Sequence, residues 1–225
     1  MRDIVIFGAG AQAQVAYFCL SQDGHYRVAA FTVHEAYLKE RKLLDLAVVP
    51  FERIEQAYPP DRCGVFVAMG YQQLNKARAA VYDACLRMGY DIVSYVSPRA
   101  CVYDQADVGQ GCFILENTTI QPFASIGRNV FIGPGAIVGH HVVIGDHTFI
   151  APGAVILGRV TVGPYCFIGA NATLRDGITV GSECVIGAGA LVTRHARERE
   201  VHLARPAEVA SRSSDVLGAF LNRRP

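Results

Sequence analysis

A six-residue repeat runs through the C-terminal half of the chain and limits its fold more than any other feature. Every sixth residue from Val102 to Val192 is Val, Ile or Leu, at sixteen successive positions without an exception. The next residue is often Gly, and the residue two places earlier is small or β-branched, as at Ala136 and Ala154. This period predicts a left-handed parallel β-helix, in which each coil has three flat sides and about eighteen residues.

The repeat also predicts what each position does. One aliphatic side chain per side points inward, the small residue fills the space beside it, and Gly at the corners supplies a positive φ. Each buried aliphatic contributes roughly 1.5–3 kcal/mol before chain entropy is subtracted, so stability requires many stacked coils. An ordinary β-sandwich would show variable strand spacing, which the strict register argues against.

The first hundred residues follow a different pattern, in which strands alternate with helices. The sequence predicts strands at 3–8, 26–33, 46–50 and 64–70, with helices at 8–20 and about 74–88. Such alternation indicates a small Rossmann-like parallel α/β sheet. We therefore expect an α/β substrate-binding domain at 1–97, a β-helix at 98–193, and a tail at 194–225 with a short capping helix near 214–221.

The turn after the first predicted strand matches the pattern G-x-G-x-x-A at Gly8, Gly10 and Ala13. Such a turn can hold a phosphate against a helix N-terminus. Fewer than 100 residues make about half of a dinucleotide-binding fold, so a nucleotide-linked substrate fits better than NAD. We expect the substrate-binding residues to include Gly8, Gly10, Ala11 and Gln12, although the glycines could also serve only to make a tight turn.

Composition excludes several classes of function. The net charge of +1 provides no basic surface for nucleic acid or an acidic membrane, and no apolar run is long enough to span a bilayer. The opening residues read as a strand rather than a signal peptide. Seven cysteines without a C-x-x-C pair indicate reduced thiols, and together these features predict a cytoplasmic protein without nucleic-acid or membrane partners.

The repeat contains one conspicuous departure, the pair His140-His141. Val138 points inward and Gly139 begins a corner, so both histidines are expected near the surface. His147 takes the next such position. A surface histidine is usually a solvated side chain, but this pair interrupts a stretch of small and aliphatic residues. The pair is therefore the leading candidate for a catalytic site.

The hexapeptide array, the small α/β domain and the segment G-HH-VVIGD-H together resemble the sugar acyltransferases of the bacillosamine and sialic-acid type. The resemblance extends from Ile4 to about Val209. It implies a homotrimer that uses an acyl-CoA, most simply acetyl-CoA, and a nucleotide-linked sugar, with no metal.

By this resemblance His140 is the general base. The chain departs from the family pattern at three places: His141 replaces an acidic neighbour, Phe149 replaces a second histidine, and Gln12 lies in a turn that usually reads G-x-G-G-H. An imidazole suits a base that acts near neutrality, and Asp146 could orient a histidine. A backbone N–H near Gly153 and Ala154 is the first candidate to stabilise negative charge on the thioester oxygen.

The resemblance also places the CoA in a groove between neighbouring β-helices. Its pantetheine arm would contact backbone, and its phosphates would bind arginines near the C-terminus. The expected residues are Gly153, Ala154, Gly158, Ala170, Ala188, Arg194 and Arg205.

Two other functions remain open at this point. The same β-helix carries zinc-dependent carbonic anhydrases, but the spacing of His140, His141 and His147 does not match their three ligands. A non-catalytic scaffold would explain the loss of the acidic neighbour and of the second histidine. The sequence does not separate N-acylation from O-acylation.

Overall fold

A computed structural model describes residues 2–207. Residues 2–93 form a parallel sheet with helices on both faces. Its strands are β1 (Arg2–Phe7), β2 (Tyr26–Val33), β3 (Lys42–Leu43), β4 (Leu46–Pro50) and β5 (Cys63–Val67). Its helices are α1 (Ala11–Asp23), α2 (Ile54–Ala57) and α3 (Lys76–Arg87), with 3₁₀ turns at Glu35–Tyr37 and Phe51–Arg53. The sheet order is β3-β4-β2-β1-β5, and only β3 runs antiparallel to its neighbour.

From Tyr95 the chain forms a left-handed β-helix of two-residue strands, which stack into three parallel sheets. We call these sheets the covered face, face 2 and face 3. The covered face contains Tyr95–Val96, Phe113–Ile114, Phe131–Ile132, Phe149–Ile150, Phe167–Ile168, Val185–Ile186 and Val201–His202. Face 2 contains Cys101–Val102, Thr119–Ile120, Ile137–Val138, Val155–Ile156, Thr173–Leu174 and Leu191–Val192. Face 3 contains Asp107–Val108, Ser125–Ile126, Val143–Ile144, Thr161–Val162 and Thr179–Val180.

The interior of the β-helix is the one that the repeat predicts. Every six-residue aliphatic from Ile114 to Val192 is buried, together with the small residue two places before it, as with Ala136 and Val138. Successive coils pair in a register of eighteen residues, for example Ile137 with Val155. The predicted fold class is confirmed.

The prediction that the glycines after the aliphatics supply a positive φ is wrong. The left-handed residue lies three places after each aliphatic from Val108 to Ile186, and it is often not Gly, as at Phe123, His141 and Arg159. The glycine directly after the aliphatic has no positive φ; a Cβ on Gly139 would instead come within 2.7 Å of the backbone nitrogen of Gly158. Those glycines are needed because the next coil passes too close for any side chain.

Of the three faces of the β-helix, the N-terminal domain packs only on the covered face and on the two edges that bound it. A ladder of phenylalanines on that face joins the domain's own core, where Phe131 stacks on Phe149 and Phe113 packs edge-on against Phe66. The segment at residues 92–96 links the two halves, since Ile92 bridges to Val65 and Tyr95–Val96 pairs with Phe113–Ile114. The capping helix predicted near 214–221 lies outside the described residues.

Candidate active site

The histidine pair lies at the edge where face 2 turns into face 3, opposite the covered face. Ile137–Val138 ends one strand, Val143–Ile144 begins the next, and both histidines between them are exposed. His141 takes the left-handed position with a φ of 58°. The predicted surface placement of the pair is therefore confirmed.

His140 contacts three neighbours, two through its ring and one through its backbone. Its Nδ1 lies 3.2 Å from Nδ1 of His141, and its backbone N–H donates to Oε1 of Gln121 at 3.0 Å. The ring lies against Gly158 of the next coil, where a Cβ would come within 2.6 Å of its Nε2. Gly158 therefore leaves the space that the imidazole needs. Among the described residues, the backbone N–H of Gly158 has no hydrogen-bond acceptor.

Asp146 does not orient a histidine in this structure, contrary to the prediction. It lies at the next edge, between face 3 and the covered face, where its Oδ2 accepts from Arg128 at 2.7 Å and its Oδ1 accepts from the backbone of Arg128 at 2.7 Å. Burial alone would raise the pKa of Asp146, but the hydrogen bonds from Arg128 hold it below its usual value. The carboxylate is committed to that ion pair.

His147 lies at that same edge and is buried by α3. Its Nδ1 is 2.9 Å from Nδ2 of Asn129, its ring stacks on Tyr165 at 4.9 Å, and Tyr82 of α3 meets it edge-on at 5.7 Å. Burial lowers the pKa of His147, which favours the neutral imidazole. This residue holds the two domains together and does not reach the exposed pair.

The departure at Phe149 also has a packing explanation. Phe149 is buried in the ladder on the covered face, stacked on Phe131 and Phe167 at 4.2 and 5.6 Å, with Tyr71 of the α/β domain against it. A histidine there would lose this apolar contact. The residue belongs to the interface between the domains.

The residues expected to bind CoA follow the two edges of face 2. Gly158 and Arg194 lie on the edge of His140, one coil and three coils beyond it, and both are accessible. Gly153, Ala170 and Ala188 follow the opposite edge of the same face. Arg205 is exposed in the segment beyond the last strand.

Ala154 and its neighbour do not provide the free N–H that was predicted there. The N–H of Gly153 donates to the carbonyl of Pro134 at 3.0 Å, and that of Ala154 donates to Ala151 at 3.4 Å. The side chain of Ala154 is itself fully buried. The unoccupied donor beside His140 is the N–H of Gly158.

The predicted glycine-rich turn lines a cleft at the C-terminal ends of β1, β2 and β5. Two adjoining cavities of about 770 and 530 Å³ meet at Gly10, the residue that precedes the first turn of α1. Gly8 has a φ of 128° and passes so close to Ala68 that a Cβ would lie 2.7 Å from its carbonyl oxygen. Gln12 and Ala11 line the smaller cavity.

Other residues of this cleft were missed by the sequence reading. Tyr37, Lys39 and Lys42 line the larger cavity, and His34 lines the smaller one with its Nδ1 2.8 Å from Oε1 of Glu52. The signal in the sequence is the run Lys39-Glu40-Arg41-Lys42, which places three cations within four residues in the segment between the second and third predicted strands. Cations at this point suit an anionic ligand such as a diphosphate.

Within residues 2–207 no three His, Cys, Asp or Glu side chains are grouped so that they could hold a metal ion. None of the helices in that range has the length and apolarity needed to cross a membrane.

Family models identify the repeat. The bacterial transferase hexapeptide model, of six repeats, matches residues 123–158, and the hexapeptide repeat of succinyl-transferase matches residues 159–194. Both models describe hexapeptide repeats of transferases, and together they match residues 123–194 of this chain. No curated protein sequence matches it.

Solved structures of similar fold extend the likeness beyond the repeats to most of the chain. PerB from Caulobacter crescentus, in complex with CoA and GDP-perosamine, is 25% identical with a TM-score of 0.82, covering 94% of this chain and 98% of its own. The acetyltransferase domain of PglB from Neisseria gonorrhoeae, in complex with acetyl coenzyme A, is 23% identical with a TM-score of 0.80, covering 89% and 95%. WeeI from Acinetobacter baumannii is 20% identical with a TM-score of 0.82, covering 93% and 100%. The matches confirm the predicted fold.

Proposed function

We propose that this acyltransferase moves an acyl group, acetyl in the simplest case, from CoA to an amino or hydroxyl group of a nucleotide-linked sugar, with His140 as the general base. The observation that carries the proposal is the exposed imidazole of His140, whose Nε2 lies against Gly158, a residue whose backbone N–H has no acceptor among residues 2–207. PerB, the similar structure in complex with CoA and GDP-perosamine, supports this class of substrates.

The two groups suit the chemistry of acyl transfer. The acceptor nitrogen or oxygen forms a bond to the thioester carbonyl carbon, and its proton passes to Nε2 of His140. The C–S bond then breaks, and Nε2 gives that proton to the sulfur, so that CoA leaves as the thiol and His140 is neutral again. A positioned base is worth about 10²–10⁴-fold in rate. In this proposal the N–H of Gly158 donates to the oxygen on which negative charge develops. No covalent acyl-enzyme is required.

The acceptor belongs in the cleft of the α/β domain. The first turn of α1 offers free N–H groups to a phosphate, and Lys39 and Lys42 add positive charge at the larger cavity. Gln12 lines the smaller cavity, where a family histidine would stand. We expect the nucleotide diphosphate to lie across Gly10.

A second copy of the chain would complete the site. The α/β domain packs on the covered face, whereas His140 lies on the edge opposite that face, so one copy's cleft and its own base point to different sides. Faces 2 and 3 expose apolar side chains beside that edge, including Ile137 and Val143. In a homotrimer these faces would meet, and CoA would lie along face 2 with its phosphates near Arg194 and Arg205.

A thiol-release assay tests the proposal. The protein is incubated with acetyl-CoA and a panel of nucleotide-linked amino sugars and sugars, and His140→Ala is compared with the unaltered chain. We expect the variant to be at least about 10²-fold slower on the active acceptor. His25→Ala is the matched control, because His25 is an exposed histidine of the α/β domain, and it should leave the rate unchanged.

The outcomes separate the alternatives. If His140→Ala turns over an acceptor nearly as fast as the unaltered chain, His140 is not the base. Acetyl-CoA binding without turnover on any acceptor would favour the non-catalytic scaffold. The mass and fragmentation of the product distinguish N-acylation from O-acylation.

A further inference from the structure

The contact between the two histidines requires a proton. Nδ1 of His140 and Nδ1 of His141 lie 3.2 Å apart with their rings at 86°. Two neutral imidazoles cannot both present a lone pair across that distance, so one of the two Nδ1 atoms carries the hydrogen. The direction of this hydrogen bond decides which nitrogen of His140 is available as a base.

We propose that His141 is a positioning residue for His140, an inference that rests on the proposed function. Its neutral Nδ1 accepts a hydrogen bond from the Nδ1–H of His140, which keeps Nε2 of His140 unprotonated and directed at Gly158. The partner that fixes a base through its other ring nitrogen is commonly a carboxylate or a backbone carbonyl. Here it is an uncharged imidazole.

His141 is itself held so that it can play this part. It occupies the left-handed corner with a φ of 58°, and its backbone N–H donates to the carbonyl of Pro122 at 3.3 Å. Its ring packs on Phe123 of the coil below, with the centroids 4.8 Å apart. The neighbouring Gln121 fixes the backbone of His140. Both histidines are thus anchored to one coil.

If the partner of His140 is the uncharged ring of His141, the pH dependence of kcat should respond to a charge at position 141, which a purely structural role of His141 would not predict. When His140 takes the acceptor's proton it becomes an imidazolium, and a neutral imidazole stabilises that cation less than a carboxylate does. Asp146, the carboxylate that the sequence suggested, is bound to Arg128 at another edge. A carboxylate introduced at position 141 should therefore strengthen the base and displace the acid limb of the pH–rate profile.

The experiment measures kcat and KM against pH for the unaltered chain, His141→Glu and His141→Phe. We expect His141→Phe to lose about tenfold in kcat, with the KM for acetyl-CoA within about twofold, since one hydrogen bond that orients the base is lost. His141→Glu should keep substantial activity and move the acid limb of kcat to higher pH. Glu is tolerated at such a corner, because Glu183 has a φ of 57°.

A control variant separates the backbone from the hydrogen bond. Asn117→Phe places the same side chain at another exposed corner, with a φ of 58°, away from His140, and should leave kcat unchanged. Thermal unfolding and acetyl-CoA binding verify that each variant is folded.

Two results overturn the inference while leaving the proposed function intact. One is a normal kcat in His141→Phe when His140→Ala is inactive. The other is an acid limb that His141→Glu does not move. Full activity in His140→Ala would instead remove the proposed function itself.

Discussion

His141 and His147 occupy equivalent places in the repeat, six residues apart, and the structure treats them in opposite ways. Their φ values are 58° and 61°, so the local backbone is the same. His141 is exposed, whereas His147 retains 6% of its accessible surface. The repeat therefore sets where a side chain leaves the coil and leaves open what it meets there.

The α/β domain creates the difference. Helix α3 crosses the edge of His147 and contributes Arg78, which is buried and donates to the carbonyls of Asn129, His147 and Thr148. Burial lowers the pKa of Arg78 to about 10, and the guanidinium remains charged at neutral pH. At the edge of His141 no helix of residues 2–207 packs, and the exposed imidazoles there are accessible to a substrate. The domain thus selects which corner is structural and which is available for chemistry.

The largest expected effect comes from removing the anchor that buries the His147 edge. Arg78→Met should lower the free energy of unfolding by about 2–4 kcal/mol, because buried carbonyls of Asn129 and His147 lose their donor. Arg128→Met is the matched control at the same edge, since Arg128 is exposed and paired with Asp146, and it should cost at most about 1 kcal/mol. Chemical denaturation of both variants measures the difference, and equal losses would contradict the assignment of Arg78 as the anchor.

A smaller effect compares the two histidines directly. Asn is native to several left-handed corners, including Asn117 and Asn171, so His147→Asn and His141→Asn strain the backbone equally little. We expect His147→Asn to lose about 2 kcal/mol of unfolding free energy, because its aromatic contacts with Tyr165 and Tyr82 disappear. His141→Asn should change stability by less than about 0.5 kcal/mol. Thermal or urea unfolding tests this, and similar losses in both would mean that exposure does not distinguish the corners.

The smallest effect is the pH dependence that the buried His147 should produce. The pKa of His147 is lowered on folding by burial, so the unfolded chain binds a proton that the folded chain resists. Its contribution to stability is full above about pH 6.5 and is lost as pH falls through the lower pKa of the folded state. The slope from one proton is at most about 1.4 kcal/mol per pH unit.

Unfolding free energies at pH 7.5, 6.5, 6 and 5.5 measure this slope. The curve of the unaltered chain should fall relative to that of His147→Asn as the pH is lowered. Parallel curves for the unaltered chain and His147→Asn would show that His147 titrates normally in the folded state.

Much of the fold could be read from the sequence because the repeat is local. The aliphatic at every sixth position and the small or β-branched residue two places before it fill a narrow interior. The residue type therefore indicates that the side chain points inward, as Val138 and Ala136 show. The strands at 26–33 and 46–50 were likewise predicted at their observed bounds. The corner glycines were misread because their constraint is the backbone of the next coil, which lies eighteen residues away.

The site could be predicted only in part, because some of its contacts come from residues that are distant in the sequence. The surface placement of His140 and His141 follows from the register. The commitment of Asp146 to Arg128, the burial of Phe149 and the cationic lining of the cleft depend on neighbours that the local pattern does not name. The Gly158 donor became visible only when the hydrogen bonds around it were assigned.

The sequence by itself determined the β-helix, its register and the corners at which side chains leave it, because each coil repeats the same short-range packing. The tertiary structure decided which corners are covered, because that depends on where a separate α/β domain packs its aromatic face. His141 and His147 share a backbone conformation, and only the position of α3 makes one of them part of an interface and leaves the other beside the candidate base.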